Sequence, residues 1–137
     1  MIKVKKFFVS IVFLLFLLTS KAQLFDNPSN VALTTKSVEF IYNMNPDSAL
    51  FYIHKLEVTL PNHPIVPMLR AVNLLWQSVP YITDEPNFDI FKQYLEQVAE
   101  KARDIDGGKQ QNTEAIFFEM AARGLLAEYS AEADNYM

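Results

Sequence analysis

The sequence predicts an all-α protein made of antiparallel helix hairpins, and three observations lead to that prediction. Apolar residues recur at intervals of three and four along most of the chain, as they do on one face of a helix. No segment alternates apolar and polar residues between turn signals as a half-buried strand would. Asparagine or histidine precedes proline at positions 27–28, 45–46 and 63–64, which places a polar cap before proline at the first helical position.

Five helices are predicted, with approximate bounds of 28–44, 46–60, 64–78, 88–106 and 113–130. Pro61 ends the second helix, because proline cannot donate the next backbone hydrogen bond. Gly107 and Gly108 end the fourth, because glycine readily takes the left-handed conformation of a helix cap. Asn112 caps the fifth. Residues 79–87, VPYITDEPN, are too rich in proline to be helical and form a connection.

Each of the first four helices has an apolar face that we expect to be buried. These faces hold Leu33, Phe40, Ile41 and Met44, then Ala49, Ile53, Leu56 and Leu60, then Ile65, Met68, Val72, Leu75 and Trp76, then Phe88, Phe91, Leu95, Val98, Ala102 and Ile105. Only a tight turn at Asn45 separates the first helix from the second. These two helices should therefore lie antiparallel as a hairpin.

The first 22 residues are typical of a secretory signal peptide. Lysines occupy positions 3, 5 and 6, an apolar run follows, and Ser20 and Ala22 supply the small residues that a signal peptidase reads. The apolar run of about 12 to 14 residues is shorter than the roughly 20 that a membrane-spanning helix needs. We therefore expect cleavage before Gln23 rather than an uncleaved anchor, and a mature domain of 23–137 that is periplasmic or secreted and has no stable membrane span.

Charge and cysteine content narrow the class of protein further. Cleavage would remove four lysines and leave 8 basic residues against 16 acidic ones, a net charge near −8. Such a surface repels phosphate backbones, so no nucleic-acid partner is expected. The chain has no cysteine, which excludes disulfides and a lipidated N-terminal cysteine. Half of the residues in the full chain are apolar. A mature domain of roughly 115 residues can therefore bury one modest core.

A repeat of 34 residues is visible between Asn30 and His63. In its first half, Leu33 is at a large position, Ser37 at a small one and Phe40 at an aromatic one. In its second half, Ala49 is at a small position, Ile53 at a large one and Pro61 at the end of the helix. This pattern resembles the tetratricopeptide repeat family. A second, distorted repeat places Ala71 at the small position and slips at Thr83. A third resumes at Leu126-Ala127, reaches a polar turn at Ala133-Asp134-Asn135 and breaks off at Tyr136, the first residue of a further helix.

No catalytic, cofactor or metal site is expected. His54 and His63 are nine residues apart, without cysteine and without the spacing that would aim both at one metal ion. We interpret His54 as a flank residue of the second helix and His63 as a capping or inter-helix residue. Neither a nucleophile elbow nor a glycine-rich phosphate loop occurs in a chain with three glycines, so the protein is not expected to be an enzyme.

The resemblance implies a ligand-binding face along the first helix of each hairpin. In this chain that face would hold Val31, Thr34, Val38, Ile41 and Tyr42, followed by Ile65, Met68, Val72, Leu75 and Trp76. We take Thr34, Tyr42, Met68 and Trp76 as the candidate partner-binding residues. Because the face is apolar, it is either a groove for a peptide or partner helix, or core that other segments cover.

Two functions remain open at this point. The first is an exported helical-repeat binding or scaffold module for a protein or peptide partner. The second is the N-terminal helical part of a longer exported protein or enzyme, whose functional domain lies beyond this chain. The fifth helix is apolar all round, with Ile116, Phe117, Phe118, Met120, Ala121, Leu125, Leu126 and Tyr129, and terminal repeats normally carry a polar outer face. We therefore expect self-association through this helix or through the groove near Trp76.

Export with cleavage after Ala22 is directly testable. N-terminal sequencing of the protein recovered from periplasm or medium should begin at Gln23, because Ser20 and Ala22 occupy the recognition positions. Recovery of the full-length chain, extracted only by detergent, would contradict this prediction.

Overall fold

The structure, a computed structural model, describes residues 24–78, 86–109 and 111–135. The signal-peptide prediction for 1–22, most of the predicted connection and Tyr136 fall outside these ranges. A short 3₁₀ turn at Leu24–Asp26 comes first, and the helices are α1 (Pro28–Tyr42), α2 (Pro46–Thr59), α3 (Ile65–Ser78), α4 (Asn87–Asp106) and α5 (Thr113–Asn135). The described part of the chain contains no strand, which confirms the all-α prediction.

Three asparagines begin helices as predicted. Each side-chain oxygen accepts a hydrogen bond from a backbone N–H in the first turn: Asn27 from Ser29 at 2.9 Å, Asn45 from Ser48 at 3.2 Å and Asn112 from Ala115 at 3.1 Å. Pro28 and Pro46 occupy the first helical position of α1 and α2, where a missing N–H costs nothing. Each cap of this kind stabilises its helix by about 1 kcal/mol.

The link from α4 to α5 and the link from α1 to α2 are short and hydrogen-bonded. Gly107 ends α4 in the left-handed region, at φ 62°, which glycine adopts without steric cost. Asp106 Oδ1 then accepts the backbone N–H groups of Gln111 and Asn112 at 2.9 and 2.8 Å, which brings the chain directly to the start of α5. Between α1 and α2, Met44 takes a positive φ of 54°, so α1 ends at Tyr42 rather than at the predicted Met44.

The predicted end of the fifth helix is wrong. α5 continues to Asn135, through the three residues Ala133, Asp134 and Asn135 that were predicted to form a polar turn. No glycine or proline follows Gly124, and alanine and glutamate between 127 and 133 favour the helix. Ala133 also packs against the core, which supports the last turn through tertiary contact.

Neighbouring helices pack as stacked hairpins. α1 packs on α2, α3 on α4 and α4 on α5, while α3 also contacts α1, α2 and α5. The short turn between α1 and α2 makes that pair antiparallel. α5 packs chiefly on α4 and touches α3 only lightly.

The predicted burial of the apolar faces of α2 and α4 is confirmed. Ala49, Ile53, Leu56 and Leu60 are buried, as are Phe88, Phe91, Leu95, Val98 and Ala102, while Ile105 is half-buried. On α3 the prediction is only partly right. Ile65 is buried, but Met68, Val72, Leu75 and Trp76 are half-buried, whereas Val66, Leu69, Ala71 and Asn73 are more deeply enclosed. Because α3 touches the four other helices, residues on several of its faces are enclosed.

Ala71 provides a test of this close packing. Its side chain is fully buried, so Ala71→Leu should overpack α3 and lower the free energy of unfolding by about 1 to 3 kcal/mol. Ala32→Leu, at an exposed position on α1, is the matched control and should leave stability nearly unchanged. Equal denaturant midpoints for parent and Ala71→Leu would show that α3 is not packed in this way.

Candidate functional site

The sequence-predicted residues Tyr42 and Trp76 meet at one end of the stack. Their ring centroids lie 5.0 Å apart with the planes tilted by 60°, a geometry that aromatic pairs favour. Tyr42 is the last residue of α1 and Trp76 lies in the last turn of α3. Tyr42 is 59% exposed and Trp76 is half-buried, so the pair presents aromatic surface to solvent.

A cleft of about 290 Å³ lies beside this pair. It is lined by Ile41, Met44, Pro46, Asn73, Trp76 and Gln77. One wall is the end of α1 with the following turn and the first residue of α2, and the other is the C-terminal half of α3. No ionisable side chain lines it. The cleft combines an apolar wall with two side-chain amides.

Thr34 and Met68, the other two predicted binding residues, are not among the residues that line the cleft. Both are half-buried, and each lies about two helical turns before the aromatic residue on its own helix. The Thr34 hydroxyl donates a hydrogen bond to the backbone oxygen of Asn30 at 2.9 Å. Of the four predicted binding residues, Tyr42 is therefore the exposed one, and Trp76 is half-buried like Thr34 and Met68.

Most residues of the predicted apolar face pack against the core. Ile41 and Ile65 are buried, and Val38, Val72 and Leu75 pack partly against the core. Most of this face is therefore core, as the packing alternative proposed. Tyr42 and the adjoining cleft are the exposed part of this face.

A second polar cluster, which sequence reasoning found only in part, joins the α2–α3 turn to α5. His63 is 5% exposed, and its Nδ1 accepts the backbone N–H of Ile65 at 3.1 Å. Neutral His63 must then carry its proton on Nε2, which lies 3.2 Å from Glu114 Oε1. His63 was interpreted as a capping or inter-helix residue, and both roles are confirmed: it caps the start of α3 and contacts Glu114 of α5.

The contact between His63 and Glu114 is close but not a well-formed hydrogen bond. Within the described ranges Glu114 Oε1 is buried and has no hydrogen-bond partner, so the imidazole N–H is not aimed at it well enough despite the short distance. The ring also meets Phe118 edge-on, with centroids 5.6 Å apart. Burial lowers the pKa of His63, although the charge of Glu114 acts in the opposite direction.

Glu114 and Asn112 both line two clefts next to this cluster. One, of about 600 Å³, also contains Thr59, Leu60, Pro61, Asn62, His63, Lys101, Asp104 and Ile105. The other, of about 810 Å³, also contains Asp106, Lys109, Gln111, Thr113, Phe117 and Phe118. The described residues contain no group of three or more His, Asp or Glu side chains placed to hold a metal ion. Glu114 follows a helix cap, where acidic residues are common, so the sequence carried no signal for its contact with His63.

None of the helices within 24–78, 86–109 and 111–135 is both long and apolar enough to cross a bilayer.

The buried histidine predicts a specific pH dependence. Because the folded pKa of His63 is lowered, the unfolded chain takes up a proton first, and the free energy of unfolding should fall as the pH drops below about 6.5. His63→Asn keeps an acceptor for Ile65 and should flatten this part of the curve. His54→Asn, at an exposed histidine, should not. Equal slopes for the parent and His63→Asn in denaturant titrations between pH 7.5 and 5 would contradict the prediction.

In comparisons with known proteins, no family model matches the chain, and neither a curated protein nor a solved structure matches it.

Proposed function

We propose that this protein is an exported helical-repeat module that binds a protein or peptide partner at the Tyr42 and Trp76 end of the stack. The observation that carries the proposal is the contact of exposed Tyr42 with half-buried Trp76, with centroids 5.0 Å apart, next to a cleft without charged walls. Tyrosine and tryptophan are the residues that most often contribute large binding energies at protein interfaces. Charge is depleted at the centre of such interfaces, as it is here.

The dimensions of the cleft favour a peptide side chain over a cofactor. Its volume of about 290 Å³ is at the lower end of the range of about 300 to 1,000 Å³ for small-molecule pockets. Such a space accepts one anchoring side chain, while the neighbouring aromatic surface contacts the rest of the partner. An acidic net charge disfavours nucleic acid as the partner.

The order of the helices supports the repeat part of the proposal. In stacked hairpin arrays each repeat contacts its neighbours, and the contacts between α1 and α3 and between α3 and α5 have this arrangement. Ser37, Ala49 and Ala71, the small positions of the predicted repeats, are all fully buried. The lysine-rich start and the small residues at Ser20 and Ala22 support export.

Self-association through α5 stays a prediction of the same proposal. Phe117 and Met120 are 64% and 69% exposed, and an added Cβ at Gly124 would meet no atom within 4 Å. These residues lie at three- and four-residue intervals along one outer face of α5. That face would favour burial against a second surface.

Peptide display against the immobilised 23–137 domain tests the proposal. Peptides selected on the parent should lose most of their binding to Trp76→Ala, because the substitution removes one wall of the cleft and half of the aromatic pair. Phe51→Ala is the matched control, since Phe51 is an exposed aromatic on α2 that packs on Tyr52 and Lys55 and does not line the cleft.

Circular dichroism should show that both variants keep the helical content of the parent. Selection of no peptide, or of peptides that bind parent and Trp76→Ala equally, would refute binding at this end of the stack.

A further inference from the structure

The first turn of α3 is held by a single imidazole. Ile65 is the first residue of α3, and the N–H groups of a first helical turn have no acceptor within the helix. The Ile65 N–H donates instead to His63 Nδ1 at 3.1 Å. This hydrogen bond is enclosed, because His63 is buried in the turn between α2 and α3.

Glu114, in the first turn of α5, faces the other nitrogen of the same ring. Among the side chains of 24–78, 86–109 and 111–135, its Oε1 is the buried polar atom that lacks a hydrogen-bond partner. It lies 3.2 Å from His63 Nε2, but the N–H of the ring is not aligned with it. A buried acceptor without a donor lowers the stability of the folded state. A rotation of the ring would supply the donor, but the hydrogen bond to Ile65 opposes that rotation.

A proton changes which of the two helices the ring binds. Nε2 carries the proton of the neutral ring, because Nδ1 is the acceptor. A second proton, taken from solvent, must therefore bind the lone pair of Nδ1. Two N–H groups then face each other, and the hydrogen bond with Ile65 is lost. The ring is now a cation, and a hydrogen bond from it to the Glu114 carboxylate is roughly twice as strong as one between neutral groups.

The other charged groups near the ring leave Glu114 as its partner. His63 and Glu114 line the cleft of about 600 Å³, to which α2 and the turn after it contribute uncharged residues. Two pairs of opposite charge line the two clefts that Glu114 borders: Lys101 with Asp104, and Lys109 with Asp106. Each pair adds no net charge to its cleft. Because His63 lines one of these clefts, a proton from solvent can reach the ring.

We propose that His63 is a proton-operated link between α3 and α5: the neutral ring accepts the Ile65 N–H, and the protonated ring releases it and pairs with the Glu114 carboxylate. Mild acid thereby loosens the first turn of α3 and ties the turn before it to α5. This role goes beyond the proposed peptide binding and does not depend on it. Burial lowers the pKa of His63 more than Glu114 raises it, so the exchange takes place below the ordinary imidazole value of about 6.5.

NMR of the ring nitrogens and of the Ile65 amide tests the link. Nitrogen-15-labelled protein with His54→Asn, which leaves His63 as the only histidine, is titrated from pH 8 to pH 4. At pH 8 the proton should be on Nε2. As the pH falls, Nδ1 should gain a proton, and the Ile65 amide proton should move upfield with the same midpoint because its hydrogen bond is lost. The Ser48 amide, which donates to uncharged Asn45, is the control and should not follow that midpoint.

Variants of the two partners identify the contacts. Glu114→Gln keeps the size of the side chain but removes its charge, and it should lower the His63 midpoint by about one to two pH units. Glu119→Gln is the matched control, since Glu119 lies on the same helix but pairs with Arg123, and it should leave the midpoint nearly unchanged. His63→Asn should make the Ile65 amide independent of pH in this range, because an asparagine amide does not titrate.

The inference is overturned by a proton on Nδ1 of the neutral ring, by an Ile65 amide that keeps its shift throughout, or by an unchanged midpoint in Glu114→Gln. A simultaneous change of the Ile65 and Ser48 amides would also overturn it, because acid would then unfold the domain as a whole. The first two results come from the ring and amide signals without any change at His63 or Glu114. No peptide is used in these measurements, so their failure leaves the proposed binding at Tyr42 and Trp76 unaffected.

Discussion

The burial of α3 against all four other helices is the constraint on which the rest of the structure depends. A helix covered on several sides needs small residues where the backbones approach, and Ala71 is fully enclosed there. The packing around α3 also buries side chains that lie outside its main apolar face. Asn73 is buried for this reason, and Trp76 is held half-buried at the edge instead of lying freely on the surface.

The candidate binding site lies between the C-terminal half of α3 and the turn that joins α1 to α2. α1 ends at Tyr42, and the positive φ of Met44 turns the chain into α2 at the level of the last turns of α3. The turn after α1 and the C-terminal half of α3 line a cleft between them. An aromatic pair, a buried asparagine and an uncharged wall are thereby brought together from α1, α2 and α3.

At the other side of the molecule, His63 connects the second hairpin to α5. Its Nδ1 accepts a hydrogen bond from the backbone N–H of Ile65 at the start of α3, and its Nε2 lies 3.2 Å from Glu114 Oε1 in the first turn of α5. The ring is enclosed by Phe118 as well, so a polar residue takes part in apolar packing. This explains why burial, rather than the nearby carboxylate, has the larger effect on the pKa of His63.

The sequence by itself determined the local features: the all-α class, the asparagine caps, the glycine end of α4 and the buried faces of α2 and α4. Each depends on residues within a few positions of one another or on a single helical period. Tertiary structure alone decided which faces of α3 are covered, the contact between His63 and Glu114, and the cleft at Asn73. These features depend on segments far apart in the chain, whose approach is set by packing and leaves no pattern in either segment alone.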